Sequence, residues 1–471
     1  MTGWTGTRTN APDDPYAPAA LQAQWAAVLE ALDPDRTGPL LARALGEDPA
    51  TPCVVADAKY EPGRPATVLY RFGAGLVLAT VPAPGQRAPG ELLPDGTGVS
   101  RFPADPGLPT LAHVLAPGVL GAALHDELVG ELDRELDGEP AGGLDDTLEN
   151  APDLRLLRYR PGRRATLLVT VPVGASGVRT YVAKVYHDSA KAAAVASEGR
   201  ALQAQPLRPP LVLAPVMAHL PDLAVVVQGR LPGRELVVGL RDPDVVARQG
   251  RDVERAAKAL AAFHRATVPS GRLRPLDREL HRFVARSTAI RAVDPAGGGP
   301  LLALAHELLD RQPAPGPVSL VHGDCRPSQF LLDDDRVALL DLDHCGIAEP
   351  ACDVGNFVSS LLQSAVRATA AGATRDGVAR DGAAAGAAEA LGETFMTAYL
   401  SCARPPARGE NGELGGPTDL TQRVRFHVAV SLLRKALRAW ARSPVASLAE
   451  QYVAEARRAV AEPEGSFHGR R

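Results

Sequence analysis

At 471 residues the chain is long enough for two to four folding units of roughly 100–200 residues each, so one small cross-linked domain is excluded. Its 51 basic and 55 acidic residues leave a net charge of −4, without the basic field that nucleic-acid or anionic-membrane binding requires; neither partner is expected. Only five basic residues are lysine: Lys59, Lys184, Lys191, Lys258 and Lys435. In a chain that otherwise writes arginine, each lysine asks for a reason. Five irregularly spaced cysteines with no CxxC pair suit neither a disulfide framework nor a zinc site. No apolar leader core lies within Met1 to Tyr16 and no apolar run approaches the roughly 18 residues of a membrane span, so a cytoplasmic location is expected.

Residues 1–18 read as a polar, disordered tail. Leu21 to Leu45 carries helical spacing broken near Asp33-Pro34-Asp35, and Ala66 to Tyr70 and Leu76 to Val81 read as strands. A Pro/Gly-rich stretch from Pro82 to Pro109 precedes a helical segment over Leu111 to Leu136, and Asp137 to Pro152 reads as a linker. These features define an amino-terminal α+β region over 19–150, either a cap or a degenerate hairpin.

Beyond the linker, Leu154 to Tyr159, Ala165 to Val173 and Arg179 to Tyr186 predict three antiparallel strands. A helix follows over Ser189 to Gln205, then a strand over Leu223 to Gln228. From about Asp244 the pattern is mostly helical, broken by a strand-turn-strand unit between Leu320 and Asp343. Strands first and helices afterwards predict a two-lobed α+β enzyme with a small lobe over 151–232 and a mainly helical lobe over 233–471. Ala365 to Leu391 reads as a helix with a loose Ala/Gly insert. Near the end, Val430, Leu433, Leu437 and Trp440 mark the packed face of a helix whose Arg434, Lys435, Arg438 and Arg442 read as solvated.

The chain contains one internal echo. Tyr60-Glu61-Pro62-Gly63-Arg64-Pro65-Ala66-Thr67-Val68-Leu69 matches Tyr159-Arg160-Pro161-Gly162-Arg163-Arg164-Ala165-Thr166-Leu167-Leu168 at seven of ten positions. Both copies put a Pro-Gly turn before a strand, which predicts two similar hairpins.

The densest chemistry lies in Leu320-Val321-His322-Gly323-Asp324-Cys325-Arg326-Pro327-Ser328-Gln329-Phe330, followed by Leu339-Leu340-Asp341-Leu342-Asp343. An apolar strand runs into a His-Gly-Asp turn, and a second strand ends on an acid. Both carboxylates can then emerge on one side of a hairpin-like unit. Such a pair suits metal-assisted phosphoryl transfer, in which one carboxylate faces the attacking hydroxyl while another oxygen donor and a second carboxylate hold Mg²⁺. Gln329 stands five residues after Asp324, the interval separating the metal-binding Asn from the catalytic Asp in kinase catalytic loops.

On His322-Gly323-Asp324, Gln329, Leu340-Asp341 and Pro350-x-x-Asp353 the sequence resembles the aminoglycoside phosphotransferase and choline kinase-like family, and less strongly so from about 150 to 445. It is also similar to maltokinase-like sugar kinases, which share Gln at this place and an amino-terminal cap. The resemblance implies a two-lobed, protein kinase-like fold with an additional amino-terminal α+β region. It implies ATP or GTP and Mg²⁺ as cofactors and a small hydroxylated molecule as acceptor. By this similarity Asp324 is the catalytic base, Asp341 the principal Mg²⁺ ligand with Gln329 beside it, and Asp353 a structural residue bracing the loop. His322 belongs to the same structural set, as does His264 in Leu260-Ala261-Ala262-Phe263-His264.

Lys184, in Val182-Ala183-Lys184-Val185-Tyr186, is the expected cation on the nucleotide phosphates, paired with Glu198 on the next helix. Lys191 on that helix reads as a surface lysine. Gly162 is the expected backbone contact to the phosphates, with Arg163 or Arg164 adding charge. Gln228 to Arg230 is the expected lobe connection, where backbone meets adenine. Asp343-His344-Cys345 reads as loop detail, and Cys325 as steric lining. Acceptor identity, the nucleotide base and oligomeric state do not follow from these residues. A catalytically silent kinase-fold protein is the alternative.

Overall fold

The computed structural model describes residues 18–124, 152–173, 177–240, 243–266, 272–373, 381–402, 417–443 and 448–461. The chain forms two compact units, the smaller comprising residues up to Pro106 with Phe283–Ala303 and Leu437–Ala446. The expected linker lies almost wholly outside the described residues, and the smaller unit closes at Pro106, well short of 150.

In the smaller unit α1 (Pro18–Ala31) and α2 (Pro34–Leu45) accompany a five-stranded antiparallel sheet of order β1-β2-β3-β5-β4. The strands are β1 (Cys53–Lys59), β2 (Ala66–Phe72), β3 (Gly75–Val81), β4 (Glu91–Leu92) and β5 (Gly98–Arg101). The sequence break between the helices has a local cause: Asp33 accepts the Asp35 and Arg36 N–H groups as N-cap, and Pro34 fills the first helical position. Trp25, Tyr60 and Trp440 stack in this unit's core with ring centroids 5.0–5.7 Å apart, and Trp440 Nε1 donates to Asp294 Oδ2 at 2.8 Å. Strands β4 and β5 are too short and Pro/Gly-flanked to show as alternation in the sequence.

The larger unit begins with the short helix α3 (Leu111–Val114), whose neighbour Thr110 donates from Oγ1 to Leu223 O at 2.8 Å. Its main sheet has order β10-β11-β8-β7-β6, built from β6 (Asp153–Arg160), β7 (Arg164–Val173), β8 (Gly177–Tyr186), β10 (Val216–Leu220) and β11 (Val225–Gly229). Period-two alternation buries Ala165, Leu167, Val169, Ala183 and Val185, and α4 (Ser189–Gln203) lays Ala192, Val195 and Ala196 against Tyr186 and Val226. A second sheet, β12-β14-β15-β9, joins β9 (Leu211–Leu213), β12 (Arg234–Glu235), β14 (Phe330–Asp333) and β15 (Arg336–Leu339). β13 (Ser319–Val321) pairs with β16 (Gly346–Ala348).

The helices are α5 (Pro243–Phe263), α6 (Leu276–Val293), α7 (Pro295–Asp310), α8 (Ala351–Ala373), α9 (Asp381–Cys402), α10 (Pro417–Arg442) and α11 (Leu448–Ala461); α6, α7 and α10 each contribute a stretch to the smaller unit. Leu260, Val354, Phe357, Leu361, Phe395 and Leu433 are fully buried among them. No helix among the described residues is long and apolar enough to cross a membrane.

The echo is a structural one. β1-β2 and β6-β7 are both antiparallel hairpins; Gly63 and Gly162 hold φ of 81° and 64°, and Arg64 and Arg163 donate their N–H to the residue three back at 3.0 Å in each. Glycine suits both turns because a left-handed backbone crowds a Cβ. The copies differ in what meets the turn. In the first, the Gly63 N–H is taken by Gln24 Oε1 at 3.0 Å while Gln24 Nε2 donates to Arg64 O and Pro82 O. That turn is tied into its own unit.

Candidate active site

The His-Gly-Asp turn follows β13, and Asp341 follows β15. Two sets of hydrogen bonds fix the turn. Asp353, in the first turn of α8 and fully buried, accepts the His322 N–H at 2.5 Å on Oδ2 and the Gly323 N–H at 2.8 Å on Oδ1. His264 at the end of α5 adds its Nε2 to Asp353 Oδ2 at 3.0 Å, with Nδ1 2.8 Å from the Tyr399 hydroxyl. Complete burial alone would raise the Asp353 carboxyl; the His264 ring and the His322 N–H outweigh it and hold it below the ordinary range. The second set runs through the His322 ring: Nε2 donates to Leu340 O at 2.7 Å and Nδ1 accepts the Asp324 N–H at 3.3 Å. One imidazole therefore ties the turn bearing Asp324 to the strand end bearing Asp341. Gly323 has φ 78°, and a Cβ there would drive into His344 O and the Arg274 guanidinium.

Asp324 is about a quarter exposed, with Arg326 Nη2 3.7 Å from its Oδ2. Asp341 stands in the left-handed region at φ 62°, uncommon for a non-glycine residue although aspartate adopts it more readily than most. Its carboxylate is held by a guanidinium fork, Arg164 Nη1 to Oδ1 at 2.5 Å and Nη2 to Oδ2 at 2.9 Å. Arg164 also bonds Asp343 Oδ2 through Nη1. Lys184 Nζ meets Asp343 Oδ1 at 3.0 Å and Asp341 Oδ1 at 3.4 Å, and the Tyr186 hydroxyl donates to Asp343 Oδ1 at 3.0 Å. Burial opposes ionisation of both aspartates, yet Lys184 and Arg164 hold Asp341 well below the usual carboxylate range and lower Asp343 as well.

The structure thus gathers His322, Asp324, Gln329, Asp341, Asp353 and Lys184 around one site, and it revises several expectations. Lys184 meets Asp341 and Asp343; Glu198, its expected partner, is half-buried, with its carboxyl raised by burial against the charges of Lys191 and Arg272. Lys191 is not a surface lysine: its Nζ donates to Asp343 O at 3.0 Å. Asp343 is no loop detail but a buried carboxylate at the centre of the cluster. Of the two arginines after the Pro-Gly turn, Arg163 is exposed at the tip and Arg164, one strand position on, points inward. Gln228 lies within β11, paired with Val182 on one side and Val216 on the other, and the chain leaves the sheet at Gly229. Arg434 and Lys435 are not on a solvated face: Arg434 joins Glu279 and Asn356, and Lys435 joins Ser359 and Ser431. Cys325 and Cys345 are buried free thiols pushed far up by desolvation, which makes them unreactive.

The donors suit a hard cation in kind. Mg²⁺ characteristically takes one or two carboxylates and completes its shell with water and substrate phosphate. Asp341 and Asp343, with the Gln329 amide oxygen near the same turn, are an all-oxygen set of that kind; among the described residues no group of three or more His, Cys, Asp or Glu forms a self-sufficient cage. In the orientation that satisfies its neighbours, the Gln329 oxygen accepts from Arg326 Nη2 at 2.9 Å and Nε at 3.2 Å. Each candidate oxygen donor is therefore held by a cation of the chain.

Residues 167–391 match the profile of the phosphotransferase enzyme family. Similar solved structures include a macrolide 2'-phosphotransferase from Brachybacterium faecium, at 16% identity over 67% of this chain and 93% of that one with a TM-score of 0.40. A choline/ethanolamine kinase family protein from Mesorhizobium loti matches at 16% identity over 72% and 95% with a TM-score of 0.41. A choline kinase from Cryptosporidium parvum matches at 12% identity over 70% and 94% with a TM-score of 0.46. No curated protein matches.

Proposed function

We propose that this chain, whose residues 167–391 match the phosphotransferase enzyme family, is a cytoplasmic small-molecule O-kinase that transfers the γ-phosphoryl group of ATP or GTP to an acceptor hydroxyl. The observation that carries the reading is the convergence of Asp324, Asp341, Asp343 and Lys184 on one site, organised by His322 and Asp353. Asp324, the most exposed of the three aspartates, orients the acceptor hydroxyl. It takes the proton late, because a carboxylate of ordinary pKa about 3.9 is too weak to remove it beforehand. Lys184 holds the nucleotide phosphates from the sheet, and Gly162 and Arg163 line the turn above them. Backbone beyond Gln228 faces the base. Glu198, whose carboxyl feels the charge of Lys191, adds a carboxylate beside this set. Asp341, with Gln329 and Asp343, would hold Mg²⁺, which would supply charge neutralisation for the transferred group. The rest is positioning and electrostatics by side chains that the hairpin and the His-Gly-Asp turn already place.

One observation favours a second reading, a catalytically silent kinase-fold binding protein: Arg164, Lys184 and Arg326 already occupy the candidate metal donors. Calorimetric titration of nucleotide with and without Mg²⁺ separates the two. Magnesium-dependent binding supports the kinase, and absence of nucleotide binding supports the silent module.

A further inference from the structure

Arg164 is the first residue of β7, directly opposite Arg160, and its side chain is 7% exposed. Its fork covers both oxygens of Asp341 and one oxygen of Asp343, leaving the opposite Asp343 oxygen to Lys184 and Tyr186. Two carboxylates and two cations form a closed, neutral set. Around it the balance is different. Arg158, Arg160 and Arg326 stand close enough to Asp341 or Asp324 to feel their charge. Counting these with Arg164 and Lys184, five cations face three aspartates. Burial and the neighbouring guanidinium of Arg160 push Arg158 down to about 10, and burial and the Arg164 guanidinium lower Arg160. The locality carries more positive charge than its own aspartates satisfy, and a polyanion would relieve it.

A bidentate guanidinium and a divalent ion cannot use the same carboxylate lone pairs, and their charges repel at contact. A phosphate group, however, offers the same fork an equivalent bidentate acceptor. Resting on the phosphotransferase reading above, we infer that Arg164 is a positioning residue with two stations: it holds Asp341 and Asp343 when no nucleotide is bound and moves to the nucleotide phosphates on loading. Release of the two aspartates is then coupled to arrival of the phosphates. The chain binds free divalent metal poorly, binds nucleotide and metal together, and does not leave two buried carboxylates unneutralised between turnovers. Arg160, opposite Arg164 at the turn, repels its guanidinium and adds to the positive charge that attracts phosphates.

The test measures Mn²⁺ binding by electron paramagnetic resonance to the full chain, with and without a non-hydrolysable ATP analogue, for wild type, Arg164→Ala and Arg164→Lys. Without nucleotide, Arg164→Ala is expected to bind Mn²⁺ about tenfold tighter than wild type or more, because a charge-assisted bidentate competitor is gone. Its affinity for the analogue alone falls by a similar factor. Arg164→Lys, which keeps a point charge but loses the fork and guards against a folding defect in the alanine variant, lies between. Mn²⁺ affinities equal to wild type in both variants, with wild type binding nucleotide normally, overturn the two-station role and leave the kinase reading standing. If wild type binds neither Mn²⁺ nor the analogue in any combination, both fall.

Discussion

Asp353→Asn probes the device that holds the catalytic turn. Asp353 receives three donors on two oxygens: the N–H groups of His322 and Gly323, and the His264 ring. Asparagine keeps one oxygen and sets an NH₂ group against a donor that previously met a carboxylate. At about 1.5–3 kcal/mol per hydrogen bond to a charged group, with at least one such bond lost and one buried N–H left unpaired, the cost is about 2–5 kcal/mol. Against a total stability of about 5–15 kcal/mol this is large. The pH dependence follows from the lowered carboxyl. A depressed folded-state pKa contributes stability that is fully present above the unfolded value of about 3.9 and is lost as pH falls through the folded one. Urea unfolding followed by circular dichroism should therefore show a constant wild-type advantage from about pH 5 to 8, shrinking below about pH 4. A difference under about 0.5 kcal/mol at neutral pH, or one that persists undiminished to about pH 2, refutes the reasoning.

Glu279 and Arg434 form a partly buried pair, 2.5 Å apart and each about 22% exposed, with Arg434 also on Asn356 Oδ1. Glu279→Gln alone should cost about 1–3 kcal/mol in urea unfolding, whereas Glu279→Gln combined with Arg434→Met should recover part of that loss because no partly desolvated charge is left without its partner. In the smaller unit Trp440→Ala removes a ring stacked on both Trp25 and Tyr60 and should cost about 3–5 kcal/mol, with loss of near-ultraviolet dichroism from the stack.

Local features of the fold were legible because their signals are local. The Asp33-Pro34 helix break, the strands of both hairpins and the turn of the echo each rest on a few adjacent residues of strong preference. The His-Gly-Asp turn and Asp341 were legible by spacing, and the lone Lys184 by its rarity. Expected and observed architecture agree as α+β, strands preceding helices in the larger unit. What stayed hidden depends on long-range approach. The Arg164 fork spans 177 residues to Asp341, and in an arginine-rich chain one more arginine carries no signal. Asp343 looked like an ordinary loop acid until β8 placed Lys184 and Tyr186 above it. The alternation that hides Arg164 inside and leaves Arg163 outside was readable, but the strand's first residue could not be fixed closely enough to use it. Residues 283–303 and 437–446 joined the smaller unit through contacts such as Trp25 with Trp440, which no periodicity reveals.

The most direct measurement of the central claim is ADP release over a panel of aminoglycosides, neutral sugars and amino alcohols, comparing wild type with Asp324→Asn. Asp324 is partly exposed and the turn is braced by Asp353 and His322, so the variant should keep wild-type folding. Wild type is expected to show magnesium-dependent, acceptor-stimulated ADP release, reduced about 100- to 10,000-fold in the variant. Full turnover by Asp324→Asn, or no acceptor-stimulated release by a wild-type chain saturated with nucleotide and Mg²⁺, would contradict it.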